Sequence, residues 1–198
     1  MLDLGGARVA KRGRFRIEHF ELDVICVNLM RAQSPHVQAE AAHVPFRDSV
    51  FDAVVCSELL EHVPDPPRVL SEIFRVLRPG GTVLICVPFM CRIHADPVDY
   101  GRYTDLYWRE TLERIGFQDV QIEEQGLFWS VLADMLRDLI YFRTSSGWMQ
   151  RGWIIRLAGI ALGICRRKAV EWDTQPGRRW VSAPSGFTTG FGIRAKKA

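Results

Sequence analysis

The sequence predicts an α/β fold built on a doubly wound sheet, with a helical segment inserted before the last strand. Short, continuously apolar runs alternate with amphipathic stretches over the first two thirds of the 198 residues, a rhythm that is typical of βαβ units. Because the apolar runs are continuous rather than alternating, they indicate strands that are buried on both faces, as in a parallel sheet.

The predicted strands are short and comprise residues 2–4, 24–27, 51–56, 82–87, 119–123 and 191–195. The first runs directly into Gly5-Gly6, and the second ends at Asn28. Ligands of open α/β sheets bind at the carboxyl ends of the strands. Glycines at such an end let the backbone approach a ligand closely. These two strand ends are therefore predicted to border a ligand site.

Two helices with clear end signals are predicted between the strands. Asp65 and Pro66 are suited to begin the first helix, and residues 78–81 (RPGG) end it and turn into the next strand. The second helix is predicted to begin near Thr104 and to end at Gly116.

Composition excludes several classes of protein. The net charge of +3 is too small to indicate a nucleic-acid partner. The five cysteines have no metal-ligand spacing, and we expect a cytoplasmic protein without disulfides or a metal. No signal peptide is visible, and no apolar run reaches the roughly 18 residues of a membrane-spanning helix.

The chain is expected to have three parts. Residues 1–126 form the ligand-binding core, residues 127–189 a helical insertion that ends in a loop at 171–189, and residues 190–198 a closing strand and tail. Within the insertion, residues 151–168 combine apolar periodicity with a basic run. This segment is either a lid helix packed on the core or an amphipathic helix that contacts anionic lipid. A basic run between Arg8 and Arg16 is expected on a solvated surface.

Several further segments, taken in order, resemble one enzyme family. They are Asp3-Leu4-Gly5-Gly6, residues 40–46 (EAAHVPF), Phe51-Asp52, residues 60–62 (LEH) and residues 75–81 (RVLRPGG). In this order they are similar to the class I S-adenosylmethionine-dependent methyltransferases of the type 11 group, over about residues 1–126. The resemblance implies a Rossmann-like, mostly parallel seven-stranded sheet, S-adenosyl-L-methionine as cofactor, and methyl transfer.

A narrower resemblance lies at Pro88-Phe89 and at residues 94–104 (HADPVDYGRYT). It is similar to a methyltransferase subgroup that is often associated with bacterial cell-surface glycan synthesis. It implies a small-molecule or saccharide acceptor, and we expect methylation at oxygen. If residues 151–168 form an amphipathic interfacial helix, the acceptor is expected to be attached to a lipid. An enzyme of this kind would work in the cytoplasm, at the inner face of the membrane if its substrate is attached to a lipid.

The family resemblance also implies roles for individual residues. The methionine moiety of the cofactor would contact Asp3, Gly5, Gly6 and Ala7. Its ribose would face Asn28 and Leu29, its adenine Glu40 and Ala41, and its methyl group Ser57 and Glu58. The candidate catalytic residues are His94, Asp99 and His62, beside Asp96, Tyr100 and Arg102.

Other roles remain open for the acceptor-side residues. His62 could cap or pack at the following turn, and Asp99 could pair with Arg102 to hold its loop closed. Glu61 is expected to be a solvated or helix-capping carboxylate. Two departures from the family pattern also stand out, since Ala7 replaces a glycine and Asn28 replaces an acid. We expect Asn28→Asp to strengthen cofactor binding by roughly 0.5–1.5 kcal/mol if Asn28 contacts the ribose.

Two other functions fit parts of the sequence. A catalytically silent relative that serves as a binding or scaffold protein would explain Ala7 and Asn28. An NAD-dependent oxidoreductase would use Gly5, Ala7 and Ala10 as a loose G-x-G-x-x-G/A motif, but it leaves residues 40–46 and 88–104 unexplained.

Overall fold

The computed structural model describes residues 1–8, 21–94, 98–145, 152–174 and 186–198. The strands are β1 (Leu2–Leu4), β2 (Ile25–Asn28), β3 (Val37–Gln38), β4 (Phe51–Ser57), β5 (Leu77–Pro88), β6 (Phe117–Gln125) and β7 (Gly190–Lys197). The helices are α1 (Pro66–Val76), α2 (Asp105–Ile115), α3 (Phe128–Ser145) and α4 (Gly152–Thr174). Residues 11–16, Asp96 and most of the predicted loop at 171–189 lie outside the described residues.

The seven strands form one sheet in the order β3-β2-β1-β4-β5-β7-β6. Strand β1 pairs in parallel with both β2 and β4, so that Leu4 lies opposite Val27 on one side and Cys56 on the other. The pairs β2–β3 and β4–β5 are also parallel. The carboxyl ends of these strands therefore share one edge of the sheet, and the predicted α/β, doubly wound fold class is confirmed.

Two strands differ from the prediction. Strand β3 was not predicted, because its two residues are too few to show a periodic pattern. Strand β5 begins at Leu77 rather than Thr82, since Phe51 pairs with Leu77 and Ala53 pairs with Thr82. The predicted RPGG turn is thus an irregularity inside the strand, with Gly80 at φ +78°.

The predicted start of α1 and both predicted ends of α2 are confirmed by their caps, whereas α1 ends at Val76, before the RPGG residues. Asp65 Oδ1 accepts a hydrogen bond from Arg68 N at 3.2 Å at the start of α1. Thr104 accepts in the same way at the start of α2. Gly116 ends α2 at φ +113°, in the left-handed region that glycine adopts without strain. These ends were predictable because capping depends on residues adjacent in sequence.

The chain divides into two compact units. The first comprises Met1–Val87, Ala95–Glu123 and Phe191–Ala198, and the second comprises Pro88–His94 and Glu124–Gly190. The core of the first unit is apolar, and its fully buried side chains include Leu2, Val54, Leu70, Ile85 and Leu112. The predicted boundaries at 126 and 189 stay predictions.

A half-buried carboxylate joins the two helices of the second unit. Asp173 in α4 accepts hydrogen bonds from the backbone N–H groups of Leu127, Trp129 and Ser130 at 2.9–3.2 Å. Ser130 Oγ donates to the same carboxylate at 2.6 Å. Asp173 therefore satisfies the first N–H groups of α3, which have no partner within that helix. No helix among the described residues is both long and apolar enough to cross a bilayer.

Candidate functional site

The glycine turn after β1, Gly5-Gly6, has no room for an added Cβ without local movement. Gly5 N donates to Val27 O at 2.8 Å and so continues the β1–β2 pairing. Gly5 has φ +84°, and a Cβ there would lie 3.0 Å from Leu59 Cδ2. A Cβ on Gly6 would lie 2.0 Å from Asp3 Oδ2. A side chain at Gly5 would therefore be strained and one at Gly6 would displace the Asp3 carboxylate, and with glycine at both positions the backbone of the turn stays bare.

Asn28 is hydrogen-bonded to this glycine turn. Its Nδ2 donates to Gly5 O at 2.8 Å and to Gly6 O at 2.9 Å. Its Oδ1 accepts from Met30 N at 2.8 Å. Both N–H groups of the amide are thus used within the protein, while Oδ1 keeps a second lone pair. From the sequence, only a ribose contact was predicted for Asn28, because a hydrogen bond between the ends of two strands cannot be inferred from the spacing of residues.

The residues predicted for the ribose and the adenine lie at or just after the ends of two neighbouring strands. Ala39 N donates to Asn28 O at 3.3 Å, and Gln38 Nε2 donates to Leu29 O at 3.0 Å. Leu29 is 62% exposed. Glu40 is also exposed and is followed by the half-buried Ala41. The structure thus brings these four predicted residues together at the carboxyl edge, next to the glycine turn.

Arg75 links two of the sequence motifs physically. Its guanidinium donates to Phe46 O at 2.8 Å, to Val44 O at 3.2 Å and to Asp48 Oδ1 at 2.6 Å. Glu72 accepts from the same guanidinium at 2.7 and 2.9 Å and also accepts from Val44 N. The hydrogen bonds from Arg75 hold the pKa of Glu72 below its usual range, and those to Glu72 and Asp48 raise the pKa of Arg75.

The end of β4 places two exposed side chains beside the turn. These are Ser57 and Glu58, which were predicted to border the methyl group. Glu58 has φ +52°, a left-handed conformation that a residue with a side chain rarely adopts. Such conformations concentrate at functional sites. Cys56, directly before them, is fully buried, and burial with the nearby Glu61 carboxylate raises the pKa of its thiol. Its thiol is therefore an unreactive part of the core.

Glu61 is buried, and the expectation of a solvated or capping carboxylate is wrong. Only 2% of its surface is exposed, and Oε1 lies 3.5 Å from His62 Nε2. A 3₁₀ turn directly after β4 directs it inward. His62 Nδ1 lies 2.5 Å from Val98 O. Because a carbonyl oxygen only accepts, Nδ1 carries the hydrogen, and His62 presents Nε2 to Glu61.

The loop after residue 97 is held by charge pairs and backbone hydrogen bonds. Arg102 donates to both carboxylate oxygens of Asp99 at 2.5 and 2.7 Å, and the Asp99 side chain is 3% exposed. Tyr100 N donates to Glu61 O at 2.7 Å. His94 lies in the second unit, where its Nδ1 is 3.3 Å from Arg92 O. Catalytic roles for His62, His94 and Asp99 stay predictions.

Comparison with known sequences agrees with this geometry. Residues 7–85 match the model of a family described as a methyltransferase domain. The chain is 33% identical over 101 residues to the sarcosine/dimethylglycine N-methyltransferase of Halorhodospira halochloris, covering 44% of this chain and 35% of that protein. It is 48% identical over 50 residues to a ubiquinone/menaquinone biosynthesis C-methyltransferase of Haemophilus ducreyi, covering 25% and 19%. The chain thus spans about a third or less of these relatives.

Solved structures share the fold. A S-adenosylmethionine-dependent methyltransferase from Archaeoglobus fulgidus superimposes with a TM-score of 0.59 at 17% identity, over 99% of this chain and 85% of that one. Phosphoethanolamine N-methyltransferase 2 of Haemonchus contortus, solved with S-adenosyl-L-methionine, gives 0.56 at 17% identity, over 99% and 48%. Residues 7–85 are therefore similar to a methyltransferase domain, and the chain shares its fold with these solved structures.

Proposed function

We propose that this chain is a S-adenosylmethionine-dependent methyltransferase that acts on a small-molecule acceptor. The observation that carries the proposal is the bare glycine turn between the ends of β1 and β2, at the edge of the sheet where ligands of this fold class bind. The residues that match the methyltransferase domain, 7–85, begin directly after Gly6.

The chemistry of the donors at this edge fits the cofactor. The bare backbone of Gly5 and Gly6 admits a ligand, and the carboxylate of Asp3 suits the ammonium group of a methionine moiety. Asn28 lies at the same edge, with its amide directed to the glycine turn. Further contacts are assigned to Ala7, Leu29, Glu40, Ala41, Ser57 and Glu58.

The protein's part in the reaction is alignment and proton removal. When bound, the cofactor supplies a methyl group on a positively charged sulfur, which needs no further activation. The exposed Ser57 and Glu58 border this group, and the acceptor must be held in line with it. We assign removal of the acceptor proton to His62 Nε2, because Nδ1 already carries a hydrogen, and the Glu61 carboxylate 3.5 Å away would stabilise the imidazolium that forms. The Asp99–Arg102 pair favours the alternative role for Asp99, which is to hold the loop closed.

The acceptor class is a finer proposal. The resemblance at residues 88–104 favours a saccharide hydroxyl, whereas the relatives above are named for methylation of nitrogen and carbon. Tyr100, whose backbone N–H donates to Glu61 O, has an exposed side chain, and its ring offers a surface on which a sugar can stack.

A lipid-linked acceptor and contact with the inner membrane face are supported by the surface of α4. Ile160 and Ile164 are 60% and 56% exposed, one turn apart, and the basic run 166–168 follows them. Acidic partners offset part of this charge, because Lys168 pairs with Glu171 at 2.8 Å. Flotation with anionic and with neutral vesicles tests the contact, and Ile160→Ser with Ile164→Ser should abolish it. Absence of the wild-type protein from both floating fractions would contradict it.

Calorimetric titration with S-adenosylmethionine, S-adenosylhomocysteine and NADH tests the function itself. We expect binding of the first two and none of NADH. Transfer of a radiolabelled methyl group to saccharide, amine and quinol acceptors then tests the reaction. Cofactor binding without transfer to any acceptor would favour the silent binding protein, and binding of NADH alone would favour the oxidoreductase.

A further inference from the structure

We propose that Asn28 is a positioning residue whose amide directs the peptide N–H groups of Gly6 and Ala7 toward the carboxylate of a bound ligand. The inference rests on the proposed function, in which that ligand is S-adenosylmethionine. On this inference Asn28, at the end of β2, shapes the glycine turn and does not bind the ribose.

The direction of the N–H groups follows from peptide geometry. Asn28 Nδ2 holds Gly5 O at 2.8 Å and Gly6 O at 2.9 Å. In a trans peptide, the carbonyl group and the following N–H group point in opposite directions. The N–H groups of Gly6 and Ala7 belong to these same two peptides and therefore point away from Asn28. Successive N–H groups directed to one side form a concavity that binds anions.

An amide is required for this arrangement. Met30 N donates to Oδ1 at 2.8 Å, which fixes Oδ1 as the acceptor and leaves Nδ2 facing the two carbonyl groups. An aspartate at position 28 would place a negatively charged acceptor against Gly5 O and Gly6 O, where no donor remains. Asn28→Asp is therefore expected to weaken cofactor binding, which is the opposite sign to the gain expected from a ribose contact.

Two ligands separate positioning from general loss of structure. S-adenosylmethionine carries the carboxylate, whereas 5′-methylthioadenosine has the same nucleoside without the amino-acid portion. If Asn28 directs the donors for the carboxylate, its replacement weakens binding of the first ligand selectively. A ribose contact or a damaged fold would change both affinities by the same factor.

The experiment is isothermal titration of wild type and Asn28→Asp with both ligands. We expect S-adenosylmethionine to bind about tenfold more weakly to the variant, and 5′-methylthioadenosine to change less than about twofold. Equal weakening of both ligands, or unchanged or tighter binding of S-adenosylmethionine, would overturn the inference while leaving the proposed function intact. A wild-type protein that binds neither ligand would overturn both.

Two further variants keep the test decisive. Gln38→Glu is the matched control. It makes the same amide-to-acid change on the neighbouring strand, where Gln38 Nε2 donates to Leu29 O. It should change both affinities by one common factor, and a selective loss there would count against the inference. Asn28→Ala removes the donors without adding charge and should retain the selective loss. If Asn28→Asp does not fold, an unchanged ratio of affinities in Asn28→Ala overturns the inference.

Discussion

The guanidinium of Arg75 donates a hydrogen bond to the backbone carbonyl oxygen of Phe46 at 2.8 Å. This contact joins the motif at residues 75–81 to the motif at residues 40–46, which are far apart in sequence. A planar guanidinium can reach two carbonyl groups and two carboxylates at once, which an ammonium group cannot do. The two motifs therefore occur together for a structural reason, because Arg75 of the second motif donates hydrogen bonds to the backbone of the first.

Replacement of Arg75 should destabilise the protein. We expect Arg75→Lys to lower the free energy of unfolding by about 1–3 kcal/mol, because donors to Val44 O and Phe46 O are lost. Urea denaturation measures this change. Arg78→Lys is the control within the same motif, because Arg78 and its partner Asp52 are 53% and 75% exposed. It should cost less than about 0.5 kcal/mol, and equal losses in the two variants would contradict the assignment.

Glu72 should make the free energy of unfolding fall at acidic pH. Its pKa is lowered in the folded protein by the hydrogen bonds from Arg75. Its contribution is therefore present above the ordinary value of 4.5 and is lost as the pH falls through the lowered folded pKa. Urea midpoints measured between pH 7 and pH 3 should fall less steeply for Glu72→Gln than for wild type. Parallel curves for the two proteins would exclude this role.

Gly6→Ala should impair cofactor binding. The added Cβ would lie 2.0 Å from Asp3 Oδ2, so that the turn or the carboxylate must move. We expect S-adenosylmethionine affinity to fall by at least about tenfold, as measured by calorimetry. The control is Gly159→Ala in α4, where a Cβ meets no atom within 4 Å. That variant should keep its affinity and gain up to about 1 kcal/mol of helix stability. Unchanged affinity in Gly6→Ala would show that this turn does not hold the cofactor.

Removal of the Asp173 carboxylate should destabilise the first turn of α3. We expect Asp173→Ala to cost about 1–2 kcal/mol locally, since the N–H groups of Trp129 and Ser130 lose their acceptor. Hydrogen exchange of the first-turn amides of α3 measures this loss. Glu171→Ala, which removes only an exposed pair with Lys168, should leave these amides protected. Equal exchange in both variants would argue against a capping role.

Lys197 should stabilise the end of α1. Its Nζ donates to Leu77 O at 2.8 Å and lies 4.8 Å from the centre of the Phe74 ring. We expect Lys197→Met to lower the free energy of unfolding by about 0.5–1.5 kcal/mol. The neighbouring Lys196 pairs with the exposed Asp119, and Lys196→Met should cost less than about 0.5 kcal/mol. Chemical denaturation of both variants distinguishes the two lysines, and a larger loss in Lys196→Met would reverse the assignment.

Features that depend on neighbours in sequence were predicted well. The cap at Asp65 and the end of α2 at Gly116 follow from local hydrogen-bonding rules. The sheet followed from the continuous apolarity of its strands. The carboxyl edge then brought Asn28, Leu29, Glu40 and Ala41 together, because parallel strands end on the same side.

Features that depend on tertiary partners were missed. The amide of Asn28 is bound to a turn more than 20 residues earlier in the chain, and no pattern in the sequence reports that contact. The burial of Glu61 has the same origin, since LEH read alone resembles a solvated turn. The Asp173 cap joins two helices across more than 40 residues. For Asn28 and Asp173, the polar group is satisfied by a partner that only folding brings near.

The position of β7 has a consequence for how the protein is made. In the sheet order, β6 touches only β7, which is synthesised after both helices of the second unit. On the ribosome, residues 117–125 therefore have no strand partner until residues 190–197 emerge. During that time they can pair with strands of other nascent chains. Strand order therefore makes closure of this edge of the sheet a late event in synthesis, since it requires residues 190–197.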